Sequence, residues 1–298
     1  MEKLQEFGIK LQKFVPNFLL KKLTKTLCSK VGKSTRLANK LRFIKTYKVD
    51  WKRSTLCRNS ANSEICAGNF KTLDDFFQRR IPASETKPES NKINAIVSPA
   101  ECFVRRVSSN DTFHIKKAHY NLSTLIDKTS VDGSPGSPGS PGSPGSPGSP
   151  GSQGSPGSPG SPGASIYIFR LAPEHYHRIH APFDSEIVNI KTVEGSYRSV
   201  NPIVLNSQPV LQKNFRKIME LKNGMFFVAI GATCVGSIIL SVKKGSKIVK
   251  GQDLGTFGFG GSCLVLVIPN ELGKIKEKLK ITTKERHIQP GALLGFID

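Results

Sequence analysis

Residues Phe257-Gly258-Phe259-Gly260-Gly261-Ser262-Cys263 set one serine behind a glycine pair, at the joint with an apolar run from Leu264 to Ile268 that closes at Pro269. Glycines reach backbone conformations closed to other residues, so such a bend can press the Ser262 hydroxyl against the carbonyl of Gly261. That is the arrangement in which a serine attacks its own preceding peptide bond. A plain glycine turn leading into a strand fits the same residues, and the segment alone does not separate the two.

A second group is denser. Half of the six histidines, His175, His177 and His180, fall within six residues, inside Tyr167 to Pro182. Histidine titrates near neutrality and suits general acid–base work. A metal reading needs ligands at fixed spacing, and these three have no carboxylate or thiolate pair nearby in sequence, so no metal is expected. Glu101 stands apart, in a Pro-marked turn between two strand-like runs, Ala95 to Val97 and Cys102 to Val104. Taken alone it reads as a solvated acid.

The elements that must hold these groups are mostly strands. Leu264 to Ile268 is aliphatic and bounded by Gly and Pro, as strands are. Lys71 to Arg80 reads as a short helix, with Thr72 as N-cap and acids in its first turn. Residues 54–70, rich in Ser, Asn and Cys, read as a loop. From Ser134 to Gly163 the chain is ten tripeptides, all Ser-Pro-Gly except Ser152-Gln153-Gly154. This reads as a disordered insertion that a fold can carry at small entropic cost. The class expected is α+β, mainly β: a barrel-like catalytic domain, residues 71–298, interrupted by the insertion at 134–163, behind a helical basic segment, 1–70.

Charge points to an anionic partner. The whole chain carries +22, with a pI near 9.9. Residues 1–53 hold fifteen Lys or Arg against Glu2, Glu6 and Asp50, a net charge of +12. Apolar residues recur there near helical spacing, in Leu4, Phe7, Ile9, Leu11 and Phe14, then Phe18, Leu19, Leu20, Leu23 and Leu27 past a break at Pro16, then Leu37, Leu41, Ile44 and Tyr47. Basic amphipathic helices suit an anionic membrane surface. No run is long and apolar enough to span a membrane. Aromatics are interleaved with the basic residues, but no nucleic-acid reading module follows, so no nucleic acid is expected. The six cysteines are scattered without a C-x-x-C pair, which predicts neither a zinc ribbon nor a disulfide scaffold and favours a reducing compartment.

The histidine segment, Arg170-Leu171-Ala172-Pro173-Glu174-His175-Tyr176-His177-Arg178-Ile179-His180-Ala181-Pro182, closely resembles the Tyr-His-Arg-x-His signature of phosphatidylserine decarboxylases. Four more segments match in the family's order: Phe70 to Arg80, Ser98 to Ala100, Phe227 to Ile238, and Lys250 to Ser262. The resemblance covers residues 35–298 apart from the insertion. It implies a pyruvoyl group made from Ser262 by cleavage between Gly261 and Ser262, giving a large chain, 1–261, and a small chain, 262–298. The pyruvoyl would form a Schiff base with phosphatidylserine and release phosphatidylethanolamine and carbon dioxide. His180 would activate Ser262 for cleavage, the carboxylate of Glu101 would orient His180 as in an acid–His–Ser triad, and His177 would serve decarboxylation. One departure stands out. The family's Ser-Pro-x-Asp-Gly is here Ser98-Pro99-Ala100-Glu101-Cys102, so the acid gains a methylene and the turn loses its glycine.

The expected partners are phosphatidylserine, an anionic membrane surface and the two chains of one precursor, with a homodimer left open. The expected location is peripheral, on the mitochondrial inner membrane or the endoplasmic reticulum. The competing class is a non-catalytic or poorly processed relative acting as a membrane-binding, biotinyl- or lipoyl-like module, against which the chain offers no Met-Lys turn.

Overall fold

The structure, a computed structural model, describes residues 15–23, 25–26, 29–128, 163–233 and 237–298. The apolar set before Val15 and the Ser-Pro-Gly repeat up to Pro162 lie outside them.

The N-terminal helices form where periodicity and caps dictate. Pro16 opens α1 (Asn17–Leu23), its carbonyl accepting the Leu19 and Leu20 amides at 3.1 and 3.2 Å. After the short α2 (Ser29–Gly32), α3 (Leu37–Tyr47) buries Phe43 and Ile44 and ends at Lys48 in the left-handed region, φ 52°. The stretch expected as a loop contains α4 (Ser63–Gly68), whose first amides, Glu64 and Ile65, are capped by the Asn62 side chain. The expectation of no disulfide is corrected here: α4 turns Cys66 back onto Cys57, and the two are bonded. Scattered spacing conceals a pairing that a single helical turn makes local. α5 (Leu73–Phe77) starts at Thr72, which forms a reciprocal capping box with Asp75. Phe43, Ile44, Val49, Phe70, Phe76 and Phe77 pack into one helical cluster, and Phe259 reaches into it from the far end of the chain.

Sixteen strands follow in the described residues. β1 (Ala95–Val97) and β2 (Cys102–Ser109) flank the turn carrying Glu101. β3 (Thr112–Ile115) and β4 (Ala118–Asn121) make a hairpin. Then come β5 (Ala164–Leu171), β6 (Arg178–His180), β7 (Ser185–Val193), β8 (Arg216–Leu221) and β9 (Phe226–Gly231). The last are β10 (Ile238–Leu240), β11 (Lys247–Ile248), β12 (Asp253–Phe257), β13 (Ser262–Pro269), β14 (Ile275–Glu277), β15 (Arg286–Ile288) and β16 (Leu293–Ile297).

Eight strands form one antiparallel sheet in the order β11-β7-β8-β9-β13-β5-β2-β15. Smaller sheets are β1-β16-β14 and β10-β12-β6. The class is α+β, mainly β, as expected, but no sheet among the described residues closes into a barrel, which corrects the barrel-like part of that expectation. The reason lies in the central strands. Tyr167, Phe169, Leu264 and Leu266 face one core, while Ile166, Ile168, Val265 and Val267 face another. A sheet buried on both faces is a middle layer, not the wall around a single interior. β13 runs down the centre of that layer, paired with β5 and β9, and Ser262 is its first residue.

Candidate active site

Ser262 is fully buried and pinned on both sides, opposite Leu171 of β5 and Gly231 of β9. The bend before it demands glycine at two places. Gly260 sits at φ 137°, where side chains are strained. A Cβ on Gly258 would lie 2.3 Å from the Ser237 hydroxyl, and the Gly258 amide donates to the Ser237 carbonyl at 3.0 Å.

The imidazole at this serine is His177. Its Nδ1 lies 3.1 Å from Ser262 Oγ, and its Nε2 lies 2.9 Å from the carbonyl of Ala172. A carbonyl only accepts, so Nε2 carries the proton. Burial pushes the His177 pKa well below the ordinary value, keeping the ring neutral. A neutral ring protonated at Nε2 has its lone pair at Nδ1. The Ser262 hydroxyl therefore donates to a nitrogen able to take its proton. The Phe77 ring lies against the imidazole at 4.0 Å between centroids.

His180 is turned the other way. Its Nδ1 donates to the Gly251 carbonyl at 2.8 Å, and its Nε2 accepts from the Tyr176 hydroxyl at 3.1 Å. Burial also lowers its pKa. Side chains alternate along extended chain, so positions three apart face opposite sides. One of the two histidines can face Ser262, and it is His177. The expected Glu101–His180–Ser262 relay is thus not assembled in this geometry.

Glu101 arrives close by but faces elsewhere. Its turn touches β6 through the backbone, the His180 amide donating to the Pro99 carbonyl at 2.8 Å. The carboxylate instead accepts from Arg53 Nη1 at 2.9 Å and from the Tyr176 amide at 3.2 Å. Arg53 also binds Glu85 at 2.7 Å and Gln289 at 3.0 Å. The longer Glu side chain reaches this guanidinium, which has no counterpart within the local motif.

Ligand-type atoms of Glu101, His175 and His287 gather within 4.8 Å of one another. His175 Nδ1 is occupied by the Ala172 amide at 3.2 Å, and Arg53 already holds the carboxylate. Burial, with His287 and Arg170 beside it, pushes the His175 pKa down to about 3. Guanidinium groups thus surround a neutral imidazole and a neutralised acid, a setting that does not draw a cation.

A cleft of about 790 Å³ leads to Gly260 and Gly261. Phe43, Tyr47, Phe103 and Phe259 give it aromatic walls. Its cation, Arg170, is paired with Glu285 through Nε at 3.0 Å and Nη2 at 2.8 Å. Arg53, Phe43, Tyr47 and Phe103 had no place in the site expected from sequence, and Tyr176 and Phe259 stood there only as members of their motifs. Strand alternation was the one signal that could have assigned the histidines.

A family model described as phosphatidylserine decarboxylase matches residues 73–295. Phosphatidylserine decarboxylase proenzyme 2 of Komagataella phaffii is 32% identical over 219 residues, 70% of this chain and 19% of that protein. Proenzyme 2 of Saccharomyces cerevisiae is 30% identical over 276 residues, 89% of this chain and 21% of that protein. The phosphatidylserine decarboxylase proenzyme of Clostridium botulinum strain Hall is 28% identical over 266 residues, 86% of this chain and 78% of that protein. The chain therefore spans about a fifth of the length of the two yeast proteins and most of the bacterial one.

Proposed function

The chain belongs to the phosphatidylserine decarboxylase family, and we propose that it is a self-processing, pyruvoyl-dependent enzyme that converts phosphatidylserine to phosphatidylethanolamine and carbon dioxide. The observation that carries this is the 3.1 Å contact from Ser262 Oγ to the lone pair of a neutral His177, directly behind the Gly260–Gly261 bend.

Maturation needs no group from outside the chain except water. Ser262 Oγ bonds to the Gly261 carbonyl carbon and its proton passes to His177 Nδ1. The peptide C–N bond breaks, the nitrogen takes a proton, and Gly261 is left as an ester on Ser262. Loss of the Ser262 α-proton expels the Gly261 carboxylate and leaves an unsaturated residue. Water adds, ammonia leaves, and residue 262 becomes a pyruvoyl group. The residues present fit that product: a buried hydroxyl at a strand start, a base on it, and glycines where the chain must bend. Once formed, the pyruvoyl supplies an electron-accepting carbonyl to a substrate amine, a role other enzymes give to a bound cofactor. His177 stays beside residue 262 and can hold or return a proton through Nδ1. The aromatic cleft shields the approach from water and offers an apolar path to a lipid headgroup.

Attachment at a membrane surface is part of the proposal. It draws support from Phe18, 70% exposed, and Leu19, 44% exposed, beside Lys21 and Lys22 on α1. No helix among the described residues is long and apolar enough to cross a membrane.

Intact-mass analysis tests the core of the proposal. The protein should resolve into chains of residues 1–261 and 262–298, and Ser262→Ala should remain one chain and be inactive. A Ser262→Ala protein that still splits there would overturn the mechanism.

A further inference from the structure

The short helix α5 touches both halves of the site. On one side Phe77 lies against His177, and Arg79, just past the helix end, donates through Nη2 to the Glu174 carbonyl at 3.0 Å. That carbonyl belongs to the turn that carries His177. On the other side the Asp74 carboxylate accepts from the backbone amide of Phe259 at 2.7 Å, across 185 positions of sequence. The second oxygen of Asp74 accepts from Gln78 Nε2 at 2.7 Å, which fixes the rotation of the carboxylate. Burial raises the Asp74 pKa, and the Phe259 and Gln78 bonds oppose that rise.

The Phe259 side chain is caught by the same helical cluster. Its ring meets Phe43 at 5.6 Å and Phe77 at 5.5 Å, both edge-on. Gly32 of α2 lies so close that a Cβ there would sit 3.3 Å from the Phe259 Cβ. Phe259 is therefore held by backbone and by side chain, two residues before the bond proposed to break. The residues on either side are glycines, Gly258 tied to the Ser237 carbonyl through its amide and Gly260 at φ 137°.

We propose that Asp74 is the positioning residue for maturation: it holds the Phe259 amide, anchors the flexible Gly258–Gly261 bend to the N-terminal helices, and so sets the Gly261 carbonyl against Ser262. This rests on the self-cleavage reading above. The reasoning is one of pre-organisation. A glycine-rich bend left free samples many conformations; the Gly258 and Gly261 amides hold its ends on the Ser237 and Thr233 carbonyls, and the Asp74 bond fixes its middle before the reaction. The helical segment is then part of the processing machinery and not only a membrane contact.

The test follows the appearance of the small chain in freshly made full-length protein by intact mass, at a temperature where circular dichroism shows each variant folded. Asp74→Ala should slow cleavage on the order of 100-fold, the loss typical of a misplaced reacting group. Asp74→Asn keeps an oxygen to accept from Phe259 and should stay within about fivefold of the unchanged protein, losing only the charge assistance. Should Asp74→Ala fail to fold, Phe259→Pro removes the donor from the loop side and leaves α5 whole, and it should be equally slow. Equal cleavage by the Ala and unchanged proteins would overturn the inference, as would an Asn variant as slow as the Ala one. An unchanged protein that never splits would instead sink the self-cleavage reading itself.

Discussion

His177 and His180 stand three residues apart on one extended segment, both buried, both held as neutral rings, and they meet different chemistry. Each donates from one nitrogen to a backbone carbonyl, Ala172 for His177 and Gly251 for His180. The protonated nitrogens differ, Nε2 in one and Nδ1 in the other. What remains is a lone pair on each ring, one given a serine and the other a tyrosine. Tyr176 is a poor proton source, because burial pushes its pKa above the ordinary tyrosine value. The difference teaches that burial alone makes an imidazole neutral, whereas the partner of its free nitrogen decides whether it can act. A strand sorts such partners by parity.

Substitution gives the largest effect and can break the comparison outright. His177→Ala should slow cleavage by a factor on the order of 100 to 10,000, the usual value of a positioned base. His180→Ala should slow it by no more than about tenfold, through loss of the Tyr176 bond. Timed intact-mass measurements on both variants decide it. A blocked His180→Ala beside a maturing His177→Ala would restore the roles that the family resemblance implied.

Acid sharpens what the two histidines share. His175, His177 and His180 all have pKa values lowered by burial. In the unfolded chain they take protons near pH 6.5, and in the folded protein they do not, so the unfolded state binds more protons below that pH. Stability is therefore complete above about pH 6.5 and falls as acid is added, by up to about 1.4 kcal/mol per pH unit for each histidine. For His175 the fall continues until its folded pKa, about 3, is reached. Urea melts between pH 7.5 and 5 should show the loss, and a flat profile would mean that these rings are not held neutral.

The smallest effect isolates His180. Tyr176→Phe removes the hydroxyl that serves His180 and leaves the His177–Ser262 contact in place. It should cost about 1 kcal/mol in a urea melt. A loss of cleavage comparable to that of His177→Ala would mean that Tyr176 and His180 reach the serine after all.

Much of this was legible in the residues because it is local. The glycine bend before Ser262 and the apolar run of β13 needed only Gly and aliphatic patterning. The cap at Thr72 and the turn between β1 and β2 announced themselves through short-range chemistry. The rest depends on what lies opposite in space. Nothing near Glu101 predicts that Arg53 will claim it, and nothing near Phe259 predicts Asp74. The barrel-like part of the expectation failed for a related reason: Ile166 to Phe169 and Leu264 to Val267 are apolar at every position, which fits strands covered on both faces, and only the packing shows two cores. The disulfide between Cys57 and Cys66 was hidden because spacing does not reveal the turn that closes it.

The strand that starts at Ser262 lies in the middle of the sheet. A cut before it would leave β13 between β5 and β9, β15 on β2, and β16 on β1, three of the last four strands still laced into the portion that precedes the cut. Such a protein would stay in one piece until denatured. After that its two parts would have to find each other, and recovery would depend on concentration in a way the uncut chain never experiences. The precursor would refold as one chain whatever its dilution; the mature form would carry an assembly that its own earlier continuity made easy, and its recovery would fall as it is diluted.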